Sequence, residues 1–329
     1  MPLSDNSKFG VKALTTAINT VAATPTQIRD LGIFEPNYLT TTYVDIENQE
    51  GKLRLVQSKE RGLSGEPVET KGRIVRTFKI PHLPVDDVVR ADEVQDLRGF
   101  GTDKAETVQA KVDDKLADGK LNLEFTREHL MLGALQGKIL DADGSEIYDL
   151  YKEFGLSRQS YDFKLATANA EIGAEMDKVM AKHRTLLKGA MVTGWVALCG
   201  IEYLTELKYH KSIKPIYERF RDGAAYRENN GLNPIEFEHN GIKFIQYTGD
   251  FGAKGAKIAA DQAILIPIGR KLFSENFAPA DMNATVNTKA LPYYASREKL
   301  AHDKGWSLHM QSNPLSIALR PELVATLTM

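Results

Sequence analysis

Alternating hydrophobic and polar residues predict an unusually long β-hairpin in the first quarter of the chain. The segments that begin at Thr42 and Lys52, and the return segment 68–80, alternate with the period of two that is typical of half-buried strands. Charged and turn-forming residues fill the tip at 59–67. Each arm of about twelve residues would span roughly 40 Å. Because a two-stranded ribbon is only marginally stable alone in water, we expect it to lie on its own domain or on a neighbouring chain.

From Thr102 the pattern changes to that of a long helix. Thr102 is a suitable N-cap, and apolar residues recur behind it at spacings of four and seven. The main stripe consists of Val108, Val112, Leu116, Leu123 and Leu130, and Leu121, Phe125 and Leu132 form a second stripe beside it. A helix that continues to about Ile139 would be about 55 Å long. We expect a bend near Gly119 and an end at the turn 141–144, and such a length indicates a spine or strut.

The other elements mix helices and strands without βαβ alternation, which favours an α+β fold. The first forty residues contain one short helical pattern, at 13–23, which Pro25 interrupts, and we expect an arm that stays loose unless another surface holds it. The later patterns predict helices at 172–186 and 201–220, strands at 192–199 and 263–268, a hairpin about Asn240-Gly241, and alternating segments between 306 and 327.

Composition narrows the class of protein. Of the 329 residues 42% are hydrophobic and 26% charged, as in ordinary globular proteins, and the net charge of −2 gives no basic excess for nucleic-acid binding. Cys199 is the only cysteine, which excludes an intrachain disulfide, and its apolar neighbours predict an inert buried thiol. The chain has no signal-peptide pattern, and its longest apolar run, around 191–201, is too short to span a membrane. We expect synthesis and assembly in the cytoplasm.

Candidate chemical motifs are weak. The stretch 252–257 is rich in glycine and lysine but lacks the spacing of a phosphate-binding loop, so we interpret it as a flexible surface loop. Glu128-His129 lacks the second histidine of a zinc-protease motif, and His183 lies on an apolar helical face, as a core histidine does. The sequence DADG at 141–144 misses the later ligands of a calcium loop and predicts a turn. We therefore predict no catalytic residue, no metal ligand and no cofactor.

Charge is distributed unevenly between two consecutive segments. Segment 52–79 carries eight basic residues against three acidic ones, and segment 85–118 carries ten acidic residues against five basic ones. Two solvated faces of one subunit would explain this difference. A second hypothesis is that the basic hairpin of one copy lies across the acidic strut of another, so that complementary charge guides assembly. The candidate contact residues are Lys52, Arg54, Lys59, Arg61, Lys71, Arg73, Arg76, Lys79, Asp86, Asp87, Asp103, Glu106, Asp113 and Asp114.

Several segments resemble the major capsid protein E family, the shell proteins of lambda-like tailed phages. The strongest resemblance lies at 126–144 (TREHLMLGALQGKILDADG) with 148–154, and at 276–283, 291–294 and 311–315 in the last part of the chain. Weaker similarity, including LRGFG at 97–101, covers nearly the whole chain. The resemblance implies the Hong Kong ninety-seven capsid fold, which encapsulin nanocompartments share.

The same resemblance implies a division of the chain into the parts of that fold. These are an N-terminal arm (1–40), an extended E-loop hairpin (41–84), the spine helix and peripheral domain (85–154), an axial domain (155–290) and C-terminal strands that return to the peripheral domain (291–329). The family has no catalytic residues to transfer.

The implied function is that of the major capsid protein of a tailed bacteriophage or prophage. Copies would form hexamers and pentamers of an icosahedral shell, with a scaffolding protein, a portal and possible decoration proteins as partners. The shell would enclose double-stranded DNA without recognising its sequence. No membrane would take part, and the protein would be found in the virion. Two alternatives remain at this stage: an encapsulin-like nanocompartment shell, and a soluble α+β enzyme.

Overall fold

A computed structural model describes residues 11–20, 26–49, 73–94, 108–187, 191–222 and 236–329. The α-helices in these ranges are α1 (Val11–Thr20), α2 (Gln27–Asp30), α3 (Val108–Gln136), α4 (Leu150–Phe154), α5 (Ile172–Arg184), α6 (Ile201–Tyr209) and α7 (Lys214–Asp222). The strands are β1 (Glu35–Tyr38), β2 (Tyr43–Gln49), β3 (Arg73–Lys79), β4 (Leu83–Arg90), β5 (Lys138–Leu140), β6 (Glu146–Asp149), β7 (Gln159–Asp162), β8 (Gly194–Cys199), β9 (Glu236–His239), β10 (Ile242–Gln246), β11 (Ala263–Ile268), β12 (Phe273–Phe277), β13 (Tyr294–Lys299), β14 (Gly305–Ser312), β15 (Pro314–Ala318) and β16 (Ala325–Thr328). This mixture confirms the α+β class.

The chain folds into two compact units, each assembled from separated stretches of sequence. The first unit contains residues 1–44, 78–131 and 274–317, and the second contains 45–77, 132–273 and 318–329. Strands β2 and β3 pair with each other as a separate two-stranded ribbon, which is the base of the predicted hairpin. Its predicted tip lies outside the described residues.

The first unit is built on an antiparallel sheet in the order β13-β14-β4. Apolar side chains of this sheet, of α1 and of α3 form one core, to which Leu14, Val89, Leu116 and Leu308 contribute. A second sheet, β1-β12-β15, begins with a parallel pair in which Asn37 lies beside Asn276. Because its strands come from both ends of the chain, this unit can form only when distant segments meet.

The second unit contains a six-stranded mixed sheet in the order β7-β16-β11-β8-β10-β9. Strand β8 is central and apolar, and it pairs with β10 in parallel and with β11 in antiparallel orientation. Helices α5 and α6 contribute Met176 and Leu204 to the core that contains Phe244 and Leu265. The turn at Asn240-Gly241, where both residues have positive φ, joins β9 to β10 and confirms the predicted hairpin.

The N-terminal segment was expected to stay loose unless another surface held it, and α1 is held by a surface of its own chain. Leu14 and Ile18 are buried, and the Thr15 hydroxyl donates to the carbonyl oxygen of Ala295 while accepting from its backbone N–H. Asn19 donates to the carbonyl oxygen of Tyr293. Strand β13 is therefore the surface that fixes this segment.

Two predicted helices end earlier than expected. Helix α3 stops at Gln136 and not near Ile139, because Gly137 adopts a left-handed conformation (φ 77°) and a side chain there would collide with the Tyr151 ring. Turn 141–144 instead joins β5 to β6. The predicted helix 201–220 is two helices, because His210 has an extended backbone and its imidazole accepts from the Ser212 backbone N–H.

Part of the second apolar stripe was also predicted wrongly. Leu132 is buried, but Leu121 and Phe125 are 46% and 53% exposed. The five-part division of the chain at 1–40, 41–84, 85–154, 155–290 and 291–329 stays a prediction.

Candidate assembly surface

The described part of the predicted basic segment lies on strand β3, which pairs with β2. Across the ribbon the Thr77 hydroxyl donates to the Asp45 carboxylate at 2.5 Å. The predicted contact residues that fall outside the described ranges are Lys52, Arg54, Lys59, Arg61, Lys71, Asp103 and Glu106. Arg73, Arg76 and Lys79 belong to β3, so three of the eight basic residues have a described backbone position.

Arg76 contacts its own chain. Its side chain is half-buried, and the guanidinium carbon lies 5.1 Å from the centre of the Phe154 ring, a cation–π distance. Phe154 is the last residue of α4 and is itself buried. Arg76 therefore has a packing role within the subunit as well as a charge, which a count of basic residues could not indicate.

Asp86 and Asp87 lie on β4, where successive side chains point to opposite faces of the sheet. Asp86 is 74% exposed, and its Oδ1 lies within hydrogen-bond distance of His309 Nδ1 on the neighbouring strand β14. Asp87 faces α3, and its Oδ1 accepts from Lys115 Nζ at 3.0 Å and from the Val88 backbone N–H at 2.6 Å. The two carboxylates thus have different surroundings, and Asp86 is the more exposed of the two, at 74% against 42%.

The Asp87–Lys115 pair alters the protonation of both groups. Partial burial alone would raise the pKa of Asp87, but the hydrogen bonds from Lys115 and Val88 outweigh it and hold this pKa below its usual value. Burial would likewise lower the pKa of Lys115, but its bonds with Asp87 and Glu93 raise it. Both groups are therefore charged at neutral pH, and most of the Asp87 charge is compensated within the subunit.

Asp113 and Asp114 lie on the exposed face of α3. Asp113 accepts a hydrogen bond of 2.7 Å from Gln109, one turn earlier on the helix. Together with Asp86, these two carboxylates are the exposed acidic candidates among the residues that the structure describes.

A buried charged cluster on α3 was missed by the sequence analysis. Arg127 donates from Nε and Nη2 to the two carboxylate oxygens of Glu275, each at 2.8 Å, and from Nη1 to the Tyr293 hydroxyl. Glu124 lies 3.3 Å from Arg29 Nη1 and accepts from the Tyr293 hydroxyl at 3.3 Å. The available signal was that Glu124 and Arg127 occur among the apolar positions of a helix whose neighbouring turns are buried.

The cluster also joins α3 to the N-terminal segment. The Glu128 carboxylate accepts from the Ile28 backbone N–H at 2.8 Å, at the first turn of α2. Thr26, the N-cap residue, makes no side-chain cap hydrogen bond. Burial raises the pKa of Glu128, although the hydrogen bond from Ile28 and the charge of Arg29 lower it in part. Glu128 therefore substitutes for the missing cap from 100 residues away.

The other sequence candidates have structural roles. Cys199 is fully buried, and burial raises the pKa of its thiol, as expected for an inert cysteine. His183 is buried with both ring nitrogens bonded, to the Tyr161 hydroxyl and the Leu323 carbonyl. Residues 252–255 form a surface turn, and Asp143 accepts from the Ser145 backbone N–H in its own turn. Among the described residues, no three His, Cys, Asp or Glu side chains are arranged to hold a metal ion.

The helices of the described ranges do not span a membrane, since none combines sufficient length with sufficient apolar character.

Comparison with known proteins shows a match to a family of capsid proteins. The model of the family phage major capsid protein E matches residues 10–329.

The major capsid protein of Salmonella phage Felix O1 (isolate Felix O1-VT1) is 24% identical to this chain, and the alignment covers 98% of this chain and 96% of the relative. The major capsid protein of Pseudomonas phage KPP10 is 26% identical over 90% of each chain. The crystal structure of a prophage protein of E. coli CFT073, described as a capsid protein, aligns with a TM-score of 0.58 at 12% identity and covers 98% of this chain and 99% of that chain. At this identity the likeness shows the fold, the α+β Hong Kong ninety-seven capsid fold. Because the family model spans nearly every residue, this chain belongs to the phage major capsid protein E family.

Proposed function

We propose that this protein is the major capsid subunit of a tailed bacteriophage or prophage and assembles into an icosahedral shell of hexamers and pentamers. The observation that carries the proposal is the family match over residues 10–329. The fold supports it as well, because this chain aligns with the capsid protein of the E. coli CFT073 prophage over 98% of its length although only 12% of the residues are identical. The shell is a physical container, so its function depends on contacts between copies and not on a catalytic centre.

The first proposed contact joins the basic hairpin of one copy to the acidic strut of another. Its basic side is segment 52–79, with a net charge of +5, and its acidic side is segment 85–118, with a net charge of −5. Asp86, Asp113 and Asp114 are exposed, which supports their part in this contact. Asp87 contributes less, because Lys115 already pairs with it. Complementary charge of this kind fixes register and speeds encounter more than it adds affinity.

Each predicted part of the fold has its own proposed role in the shell. The arm 1–40 and the C-terminal strands 291–329 support the peripheral domain, the E-loop 41–84 reaches a neighbouring copy, and the axial domain 155–290 surrounds the centre of each hexamer or pentamer. Each contact is modest, but every copy shares several, and closure into rings multiplies their effect.

The proposed partners follow from the shell. Copies assemble on a scaffolding protein in the host cytoplasm, a portal occupies one vertex, and the outer surface of the shell offers a site for a decoration protein. Double-stranded DNA fills the interior without sequence-specific contacts. A net charge of −2 suits a wall that must hold dense DNA without binding it tightly.

The experiment is assembly of the purified full chain, followed by negative-stain microscopy and sedimentation velocity. We expect closed icosahedral particles of uniform size. A chain that remains a monomer at every concentration, alone and with its scaffolding protein, would refute the proposal. Particles that hold an enzyme and no DNA when recovered from the natural host would instead indicate a nanocompartment.

The hairpin contact has its own test. The variant Arg73→Glu/Arg76→Glu should reduce the yield of particles by tenfold or more, because about 1.4 kcal/mol per contact changes an association constant tenfold. The matched control is Arg73→Lys/Arg76→Lys, which keeps both positive charges and should assemble. Since Arg76 contacts Phe154, the thermal unfolding of both variants is compared first. Normal assembly of the charge-reversed variant would exclude this contact.

A further inference from the structure

The second unit presents an exposed apolar stripe on α6. Ile201, Thr205 and Tyr209 lie at spacings of four along the helix, and Ile201 and Tyr209 are 51% and 58% exposed. The opposite face, with Tyr203 and Leu204, is buried in the core. One face of α6 therefore packs as expected of an amphipathic helix, and the other carries large apolar side chains in solvent.

Acidic residues flank this stripe. Glu202 and Glu206 are exposed and lie one turn apart beside Ile201, Thr205 and Tyr209. Within the ranges that the structure describes, neither carboxylate has a basic nitrogen within 4.0 Å. The α6 face is thus both apolar and negatively charged.

The neighbouring helix α7 has the opposite charge. Lys211, Lys214 and Arg219 are exposed on or just before α7, and among the side chains described up to residue 219 the acid on this helix is Glu218, whose side chain is 47% exposed. Lys214 Nζ lies 3.9 Å from Glu218, but both side chains are about half exposed, so this pair is weak. Ile216, which is 41% exposed, lies between Lys214 and Arg219 along the helix and presents an apolar side chain beside them.

The two faces have a fixed relationship because aromatic rings join the helices. Tyr209 and Tyr217 pack edge to face with their ring centres 6.1 Å apart, and Tyr217 packs in the same way on buried Phe237 at 5.6 Å. The Lys208 ammonium lies 5.5 Å from the centre of the Tyr217 ring. The acidic and basic faces are therefore parts of one rigid surface, with tyrosine, a residue enriched in protein interfaces, near its middle.

We propose that this surface is a contact between copies of the chain, in which the acidic face of α6 in one copy packs against the basic face of α7 in the next. The inference rests on the proposed shell function, because a shell surrounds each subunit with others of its kind. A single chain carries both halves of the contact, opposite in charge and each with an exposed apolar side chain. Such self-complementarity makes a second copy the partner, and the glutamates exclude nucleic acid from the α6 side.

Charge reversal and its rescue test the proposal. Glu202→Lys/Glu206→Lys places positive charge on both faces, and Lys214→Glu/Arg219→Glu places negative charge on both. Each double variant should lose at least tenfold in particle yield, since like charges then face one another. The quadruple variant restores opposite signs and should recover most of the yield. Glu202→Asp/Glu206→Asp, which keeps the sign, is the matched control.

A crosslinking experiment makes the result independent of complete shells. Glu206→Cys chains are mixed with Arg219→Cys chains under mild oxidation, and a disulfide-linked dimer should form in several-fold greater yield than in either chain alone. The buried Cys199 should not take part. Crosslinking without particles would support this contact but refute the shell. If the wild-type chain forms particles and the charge-reversed variants form them equally well, the contact is overturned and the shell function stands. The same conclusion follows if the quadruple variant shows no rescue.

Discussion

Arg127 and Glu275 form a bidentate ion pair in the interior of the first unit, although 148 residues separate them. Both side chains are almost fully buried, and the rings of Phe277 and Tyr293 lie 5.0 and 5.3 Å from the guanidinium carbon. Burial would lower the pKa of Arg127, but the Glu275 carboxylate raises it above its usual range, so the pair stays ionised. The pair fastens the middle of α3 to strand β12.

Breaking this pair on one side should destabilise the subunit strongly. Arg127→Met leaves the Glu275 carboxylate buried and unpaired, which costs about 3–5 kcal/mol of unfolding free energy. The double variant Arg127→Met/Glu275→Leu removes both charges and should recover most of that loss. Urea unfolding of the unassembled subunit at pH 7, followed by tryptophan fluorescence, measures the difference. Additive costs of the two substitutions would contradict coupling between them.

The sequence predicted local elements well where a short pattern determines them. Asn240-Gly241 specified a hairpin because both residues tolerate positive φ, and the apolar run 263–268 specified strand β11. His183 was correctly placed in the core because its helical neighbours are apolar. In each example the required information lies within a few residues.

Long-range relationships could not be read in the same way. The partner of Arg127 lies on a strand that reaches α3 only after folding, and no spacing rule connects the two positions. Leu121 and Phe125 look like core residues by periodicity, but they are 46% and 53% exposed. Charge counts also could not reveal that Lys115 already pairs with Asp87 while Asp86 faces solvent. The candidate surface was therefore predicted as a region, but not residue by residue.

Gly119 permits close packing of α3 on β14, which is a reason for glycine that differs from the expected bend. A Cβ atom at this position would lie 2.3 Å from the Met310 sulfur, and Met310 is buried. Gly119→Ala gains about 1 kcal/mol of helix propensity but should lose about 1–3 kcal/mol to overpacking. We expect net destabilisation by urea unfolding. In a Met310→Ala background the same substitution should become stabilising, and an unchanged sign there would exclude the steric explanation.

Glu128 gives the N-terminal segment a pH-dependent attachment. Its pKa is raised by burial, so its charged form is penalised in the folded subunit, and stability falls as pH rises through the raised pKa, starting from about pH 4.5. Glu128→Gln keeps an oxygen for the Ile28 N–H and removes the charge. Its stability relative to wild type should therefore increase from pH 5 to pH 8.

The matched variant separates the hydrogen bond from the charge. Glu128→Ala leaves the Ile28 N–H without its acceptor and should cost about 1–3 kcal/mol at either pH relative to Glu128→Gln. Thermal unfolding of all three chains across this range provides the measurement. A parallel pH dependence in wild type and Glu128→Gln would show that the pKa of Glu128 is the same in the folded and the unfolded chain.

His183 should make the second unit sensitive to acid. The Leu323 carbonyl can only accept, so Nε2 carries the proton and donates to it at 3.0 Å, and Nδ1 accepts from the Tyr161 hydroxyl at 3.2 Å. Burial lowers the pKa of His183, although the bond to Leu323 raises it. The unfolded chain, in which His183 has its ordinary pKa near 6.5, then binds a proton that the folded chain does not bind. The contribution of His183 to stability is therefore fully present above about pH 6.5 and declines below it.

His183→Gln, which can donate and accept in similar positions but does not titrate, should show a flatter decline in unfolding midpoint between pH 7 and pH 5. Identical slopes for wild type and His183→Gln would mean that other groups govern the acid sensitivity of this unit.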